Sequence, residues 1–246
     1  MRYKAIVSYD GSKYNGWQKQ PNVKSIQEEI EKSLSIIHKH PIVIVGSGRT
    51  DAKVHAIAQV FHFDSELNIN NDHWIMAINS NLDNAIRIQS VELVKEDFHA
   101  RFSVVSKRYD YYLSTNYNNP FIINYVGREY RKLNLEKMKE CAKLFIGEHD
   151  FKTFTSSQID ERKSCIKTIY TLSVTYENGV YHFIFEGNGF LRYMVRNLVG
   201  TIVEVGTNKL NLEEVSRMLV VSNKHLCKFK ADGEGLYLVK VNYESR

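Results

Sequence analysis

At 246 residues, 43% hydrophobic and 25% charged, the chain has enough apolar sequence for one large domain or two of about 120 residues. Three prolines (Pro21, Pro41, Pro120), no low-complexity stretch and no run near the ~20 apolar residues of a membrane span argue against a long disordered linker and a membrane protein. A formal charge of +5 admits a nucleic-acid partner without demanding one. Three cysteines (Cys141, Cys165, Cys227) without CxxC spacing argue against a disulfide or zinc framework and fit a reducing cytoplasm.

In chain order, Arg2–Asp10 alternates as a strand and has no secretory apolar core. Ser25 with Glu28 forms a capping box that opens a helix, with Ile26, Ile30, Leu34 and Ile37 on one face. Strands are predicted at Ile42–Val45 and Ala58–Asp64, the second alternating Gln59, Phe61 and Phe63 against Val60 and His62. A helix over Asp72–Asn81 and a strand over Ala85–Val94 complete this set.

A second set opens with a strand at Lys107–Ser114. Asn134 caps a helix carrying Leu135, Met138, Ala142 and Phe145, with Gly147 as its stop. Strands at Ile166–Tyr176 and Val180–Glu186 flank Asn178-Gly179, a type I′ hairpin signal. Leu191, Met194, Val195, Leu198 and Ile202 mark a helix, Asn211 with Glu214 caps another, and Leu236–Tyr243 alternates as the final strand. Each set reads roughly β-α-β-β-α-β, the second with one helix more. The expected fold is therefore α/β (α+β), with two ferredoxin-like halves, 1–105 and 106–246, mostly antiparallel sheet and a central cleft.

The densest polar constellation is Gly46-Ser47-Gly48-Arg49-Thr50-Asp51-Ala52-Lys53-Val54-His55. Gly46-x-Gly48 lacks the third glycine of a dinucleotide loop, and the segment runs from strand to strand. What remains is a glycine-loosened loop presenting an arginine and a carboxylate two residues apart. It reads either as a polar turn with a surface aspartate or as a reactive carboxylate with a phosphate-binding cation. Basic residues also interleave with aromatics at Lys107-Arg108-Tyr109-Asp110-Tyr111-Tyr112 and Arg128-Glu129-Tyr130-Arg131-Lys132, a pattern compatible with RNA.

Arg49-Thr50-Asp51-Ala52-x-Val54-His55-Ala56, with Gln59-Val60-x-His62-Phe63, resembles the catalytic motif of the TruA family of pseudouridine synthases. Tyr9-Asp10-Gly11-Ser12-x-Tyr14-x-Gly16-Trp17-Gln18-x-Gln20 and Ser25-Ile26-Gln27 resemble its N-terminal signature. Phe98-His99-Ala100-Arg101-Phe102 and Lys107-Arg108-Tyr109 are similar to its central one. Gly189-Phe190-Leu191-x-x-Met194-Val195-Arg196-Asn197 and Gly233–Leu238 are similar to its C-terminal ones. The blocks stand in the family's order and cover nearly the whole chain.

The resemblance implies an isomerase that turns uridine into pseudouridine at tRNA positions 38, 39 and 40 in the anticodon arm, works as a homodimer, and needs no cofactor or metal. It implies Asp51 as the essential carboxylate, Tyr109 as the aromatic packing on the target uracil, and Arg196 as the basic partner of that carboxylate. Arg49 matches the arginine implicated in nucleotide flipping. Lys107, Arg108 and Arg101 are the further substrate-binding candidates. The chemistry agrees: isomerisation needs no redox step, a glycosidase would want two flanking carboxyls, and a base inside a paired stem must be flipped and stacked before it can react.

Other candidates carry plainer readings. Asp51-x-x-x-His55 lacks further ligands for a metal. His55, His62 and His99 read as scaffold, Cys141 as core, and Tyr111 and Tyr112 as strand packing. Arg128, Arg131 and Lys132 read as a solvated face or as tRNA-backbone contacts. Two positions depart from the family pattern: Lys53 where glycine is usual, and Asp83 where proline follows the leucine matching Leu82. An RNA-binding module without chemistry, and a synthase acting on another RNA, are the rival functions.

Overall fold

The computed structural model describes residues 1–116, 119–156, 164–221, 223 and 225–244. They gather into two compact units, Met1–Val105 with Tyr237–Arg246, and Ser106–Leu236.

In the first unit β1 (Arg2–Tyr9) buries Tyr3, Ala5, Val7 and Tyr9, every second residue. Helix α1 (Ile26–His38) starts where the Ser25 hydroxyl accepts the Glu28 N–H at 3.4 Å, and it buries Ile26, Ile30 and Leu34. There follow β2 (Val45–Gly46), β3 (His55–Asp64), α2 (Asn71–Asn79) and β4 (Ile86–Val94). Strand β1 lies between β4 and β3, and β2 adds to β3, all antiparallel. That is the ferredoxin-like order. Tyr3, Phe63 and Trp74 form its aromatic core, with ring centroids 5.3–5.4 Å apart.

Two expectations change here. The strand predicted at Ile42–Val45 shrinks to Val45–Gly46, because α1 satisfies the preceding backbone: Ile42 N–H donates to Ser35 Oγ at 3.0 Å and Ile44 N–H to Glu31 Oε1 at 3.3 Å. The two-faced alternation of β3 also fails, since Val60 through Phe63 are all buried. Each face carries a covered polar group, Gln59 bonded to Ser47 and Gly48 on one and His62 to the Ala100 N–H on the other.

The second unit contains β5 (Val104–Ser114), β6 (Gly127–Arg128), α3 (Leu135–Lys143), β7 (Gly147–Asp150), β8 (Ile166–Glu177), β9 (Val180–Gly187), α4 (Met194–Gly206) and α5 (Leu212–Val221). Its strands run β5-β9-β8-β7, antiparallel, with β6 parallel to β5. Asn178 and Gly179 both have positive φ, as a type I′ turn requires. Asn211 and Glu214 exchange side chain-to-backbone bonds of 2.8 and 2.9 Å, a complete capping box for α5. Phe145, Phe151, Phe154, Phe183 and Phe185 are fully buried.

Gly147 does not end α3. The Leu144 and Phe145 N–H groups bond to Cys141 O and Ala142 O and close the helix earlier, and Gly147, at φ +104°, opens β7. The C-terminal strand β10 (Leu236–Tyr243), read in sequence with the second half, groups with the first unit. It pairs in parallel with β3 at Tyr237↔His55 and Leu238↔Ala56, and the Tyr243 hydroxyl donates to Ala100 O at 2.7 Å. Among the described residues no helix is long and apolar enough to cross a membrane.

Candidate functional site

The Asp51 loop is pinned from both sides by the N-terminal signature. Buried Thr50 shares a 2.8 Å hydrogen bond with the Tyr9 hydroxyl, and its carbonyl accepts the Trp17 N–H at 3.1 Å. Beyond Asp51, the Lys53 N–H donates to Tyr14 O and the Val54 N–H to Asp51 O, both at 3.2 Å. Glycine is needed where the two segments touch. A Cβ on Gly11 would lie 2.0 Å from Val54 O, and one on Gly16, at φ +89°, 2.4 Å from Thr50 O. Asp51 is thereby held half-buried, with exposed Arg49 two residues before it.

Burial drives the Tyr9 hydroxyl well above the usual phenol range, so it remains neutral. Burial, with the negative charges of Asp83, Glu29 and Asp10, pushes Tyr14 up to about 12. His55 Nδ1 accepts the Gly11 N–H at 3.1 Å, which makes it the lone-pair nitrogen, and the ring stacks on Tyr237 at 4.7 Å. Its 3.3 Å approach to Asp10 is then a contact between two acceptors and not an ion pair. His55 is scaffold, as expected of it.

The two departures have structural consequences. Lys53 lies at φ +65°, in the left-handed region that glycine would enter freely. Asp83 builds a turn of its own: its Oδ1 accepts the Ala85 N–H at 2.8 Å, doing by hydrogen bonding what a proline does by ring closure.

Arg101 and Phe102 stand exposed on a turn whose N–H groups bond to His99 Nδ1, with the guanidinium 5.8 Å from the Phe102 ring. His62 supports the same turn. Burial first, then the charges of Arg2 and His99, lower it to about 4.

The second unit carries the other candidates. Tyr109, on β5, is buried opposite Phe185 and meets Phe190 edge-on at 5.3 Å. Lys107 precedes it on the same face of the strand, half-buried. Arg108 faces the other way and is engaged by Asp110 through two parallel bonds of 2.8 Å, while His182 takes a further 2.8 Å contact to Asp110. That ion pair was legible in principle, because residues two apart on a strand share a face. Arg131 is likewise bound, by Glu129 and Glu204, whereas Arg128 and Lys132 are exposed. Arg196, in the first turn of α4, donates from Nε to Ala231 O at 2.8 Å. Sequence reading passed over Tyr193, whose ring lies near Arg192, Arg196 and Lys230; its place between two arginines was the available signal.

Asp51, Arg49 and Arg101 thus belong to the first unit, and Tyr109, Lys107, Arg108 and Arg196 to the second. Cys141 is fully buried and burial pushes its thiol up to about 12, which leaves it inert core.

Comparison with known proteins covers both units. A family model described as tRNA pseudouridine synthase matches residues 5–103 and 141–244. The tRNA pseudouridine synthase A of Oceanobacillus iheyensis is 42% identical, with 99% of this chain and 97% of that protein covered. Those of Bacillus pumilus and Bacillus subtilis are 41% and 38% identical, with 100% of each chain covered. A solved Cbf5-Nop10-Gar1 complex is similar at TM-score 0.44 and 11% identity, over 96% of this chain and 57% of that one. With a family model spanning both halves and relatives matched end to end, the chain belongs to the tRNA pseudouridine synthase family.

Proposed function

We propose that this enzyme isomerises uridine to pseudouridine in the anticodon arm of tRNA, at positions 38, 39 and 40, with Asp51 as the reacting carboxylate. It acts as a cytoplasmic homodimer, without metal or cofactor. The observation that carries the reading is the Asp51 loop: a single carboxylate, half-buried, on a turn fixed by hydrogen bonds on both flanks. Such fixing is what a group needs in order to meet a reacting atom without reorganising.

The reaction breaks the N1–C1′ bond, turns the uracil and rejoins it through C5, so that every atom of the substrate is kept. One ionised carboxylate serves by adding to the sugar or base or by removing a sugar proton. Tyr109 stacks on the flipped uracil, Arg49 enters the space the base leaves, and Arg196 favours the charged form of the carboxylate. Among the backbone-binding cations, Arg49 and Arg101 are exposed while Asp110 holds Arg108, so phosphate contact falls first to Arg49 and Arg101.

Incubation with unmodified tRNA transcripts, followed by position-resolved pseudouridine mapping, tests this. Pseudouridine at positions 38–40 is the expected product. Tight tRNA binding with no pseudouridine on any RNA would make the protein a binding module. Product on ribosomal RNA alone would make it a synthase of another substrate.

A further inference from the structure

The segment Cys227–Ala231 is seated closely on α4. A Cβ on Gly200 would come within 2.8 Å of the Phe229 carbonyl carbon, so only a glycine lets this backbone approach. Two further bonds fasten it: Arg196 Nε to Ala231 O at 2.8 Å, and Ala231 N–H to Arg196 O at 3.0 Å. The result is to carry Lys230 to Tyr193, the residue before α4. Lys230 Nζ lies 4.4 Å from the ring centroid, the Arg192 guanidinium 4.8 Å and that of Arg196 5.7 Å.

Three cations from two separate segments thus converge on one aromatic ring. Their mutual repulsion is unfavourable, and the ring's negative face offsets only part of it. Among the described residues neither Arg192 nor Lys230 forms an ion pair with a carboxylate, unlike Arg108 and Arg131 in the same unit. The Tyr193 hydroxyl accepts a hydrogen bond from Arg192 Nη2 at 3.0 Å, and its own hydrogen is a further donor. Tyr193 also holds φ +66°, a strained conformation for an aromatic residue. With Arg192 and Lys230 drawn to the same ring, an anion bound beside them would offset their repulsion.

We propose that Arg192, Tyr193 and Lys230 form a binding site for a backbone phosphate of the substrate RNA. The proposal rests on the tRNA-modifying function argued above and adds a positioning contact to it. A phosphodiester brings one negative charge and two acceptor oxygens, matching a lysine, a guanidinium fork and a phenol hydrogen.

The test compares wild type with the Arg192→Ala/Lys230→Ala double variant for tRNA affinity over a salt series. Loss of one phosphate contact lowers the slope of log affinity against log salt by about one and weakens binding about tenfold at ~0.1 M salt. KM for tRNA rises while kcat at saturation is retained. Tm is unchanged or raised, because like charges have been removed. Lys230→Arg, against Lys230→Ala, keeps the wild-type slope. If the double variant folds and its slope matches wild type, the phosphate site does not exist, and wild-type pseudouridine formation still stands. A lowered Tm with an unmoved slope assigns the cluster to structure and overturns the proposal. Wild type that binds no tRNA defeats both this proposal and the function beneath it.

Discussion

Lys53 holds a left-handed conformation at the tip of the Asp51 turn, where a non-glycine residue costs roughly 1 kcal/mol. Glycine there relieves that strain but gives back roughly 0.5–1 kcal/mol through the greater freedom of the unfolded chain. Lys53→Gly is therefore expected to leave stability unchanged or raise it by up to about 0.5 kcal/mol in urea unfolding. Lys53→Val, branched at Cβ, lowers it by about 1–2 kcal/mol. A glycine variant less stable than wild type by more than about 1 kcal/mol would show that the lysine side chain, and not the backbone, decides this position. The need for a special residue here was visible in the sequence, because lysine stood where glycine is usual. The engagement of Arg108 was missed, because its charge was counted without asking which face of the strand Asp110 shared.

At the scale of elements, β3 ties the Asp51 loop at one end to the Phe98–Ser103 turn through His62 at the other. His62 Nδ1 accepts the Ala100 N–H at 3.1 Å, and protonation of that nitrogen abolishes the bond. Its pKa falls from 6.5 to about 4 on folding, so between those values the unfolded chain binds a proton that the native protein does not. Stability from this group is therefore full above about pH 6.5, falls on acidification toward pH 4, and is constant below that. Denaturant midpoints measured through this window should fall more steeply for wild type than for His62→Asn, which keeps an acceptor and cannot titrate. Parallel slopes would contradict this. Helix positions and the 178–179 hairpin were legible because caps and turn residues act within a few positions. The shortness of β2, the onset of β7 and the allegiance of β10 were not, since each depends on partners distant in sequence: Ser35 and Glu31, β8, and β3.

For the whole molecule, the proposed homodimer follows from the resemblance and from the small size of a 28.6 kDa chain beside an L-shaped tRNA. Light scattering at micromolar concentration should give twice the chain mass, and a fully active monomer would contradict it. Family membership was legible from motifs spread along the sequence, whereas the clamp that holds the Asp51 loop emerged only when Tyr9, Gly11, Gly16 and Trp17 were placed against it. If Asp51 does chemistry and does not merely shape an RNA surface, its charge is needed after the tRNA has bound. Asp51→Asn preserves size and shape and removes one negative charge, while the cations and stacking surfaces remain. Pseudouridine formation and tRNA affinity are measured side by side in wild type and variant. The variant is expected to form no detectable pseudouridine at an affinity equal to or above wild type. Pseudouridine formed at a rate comparable to wild type would contradict a chemical role for Asp51.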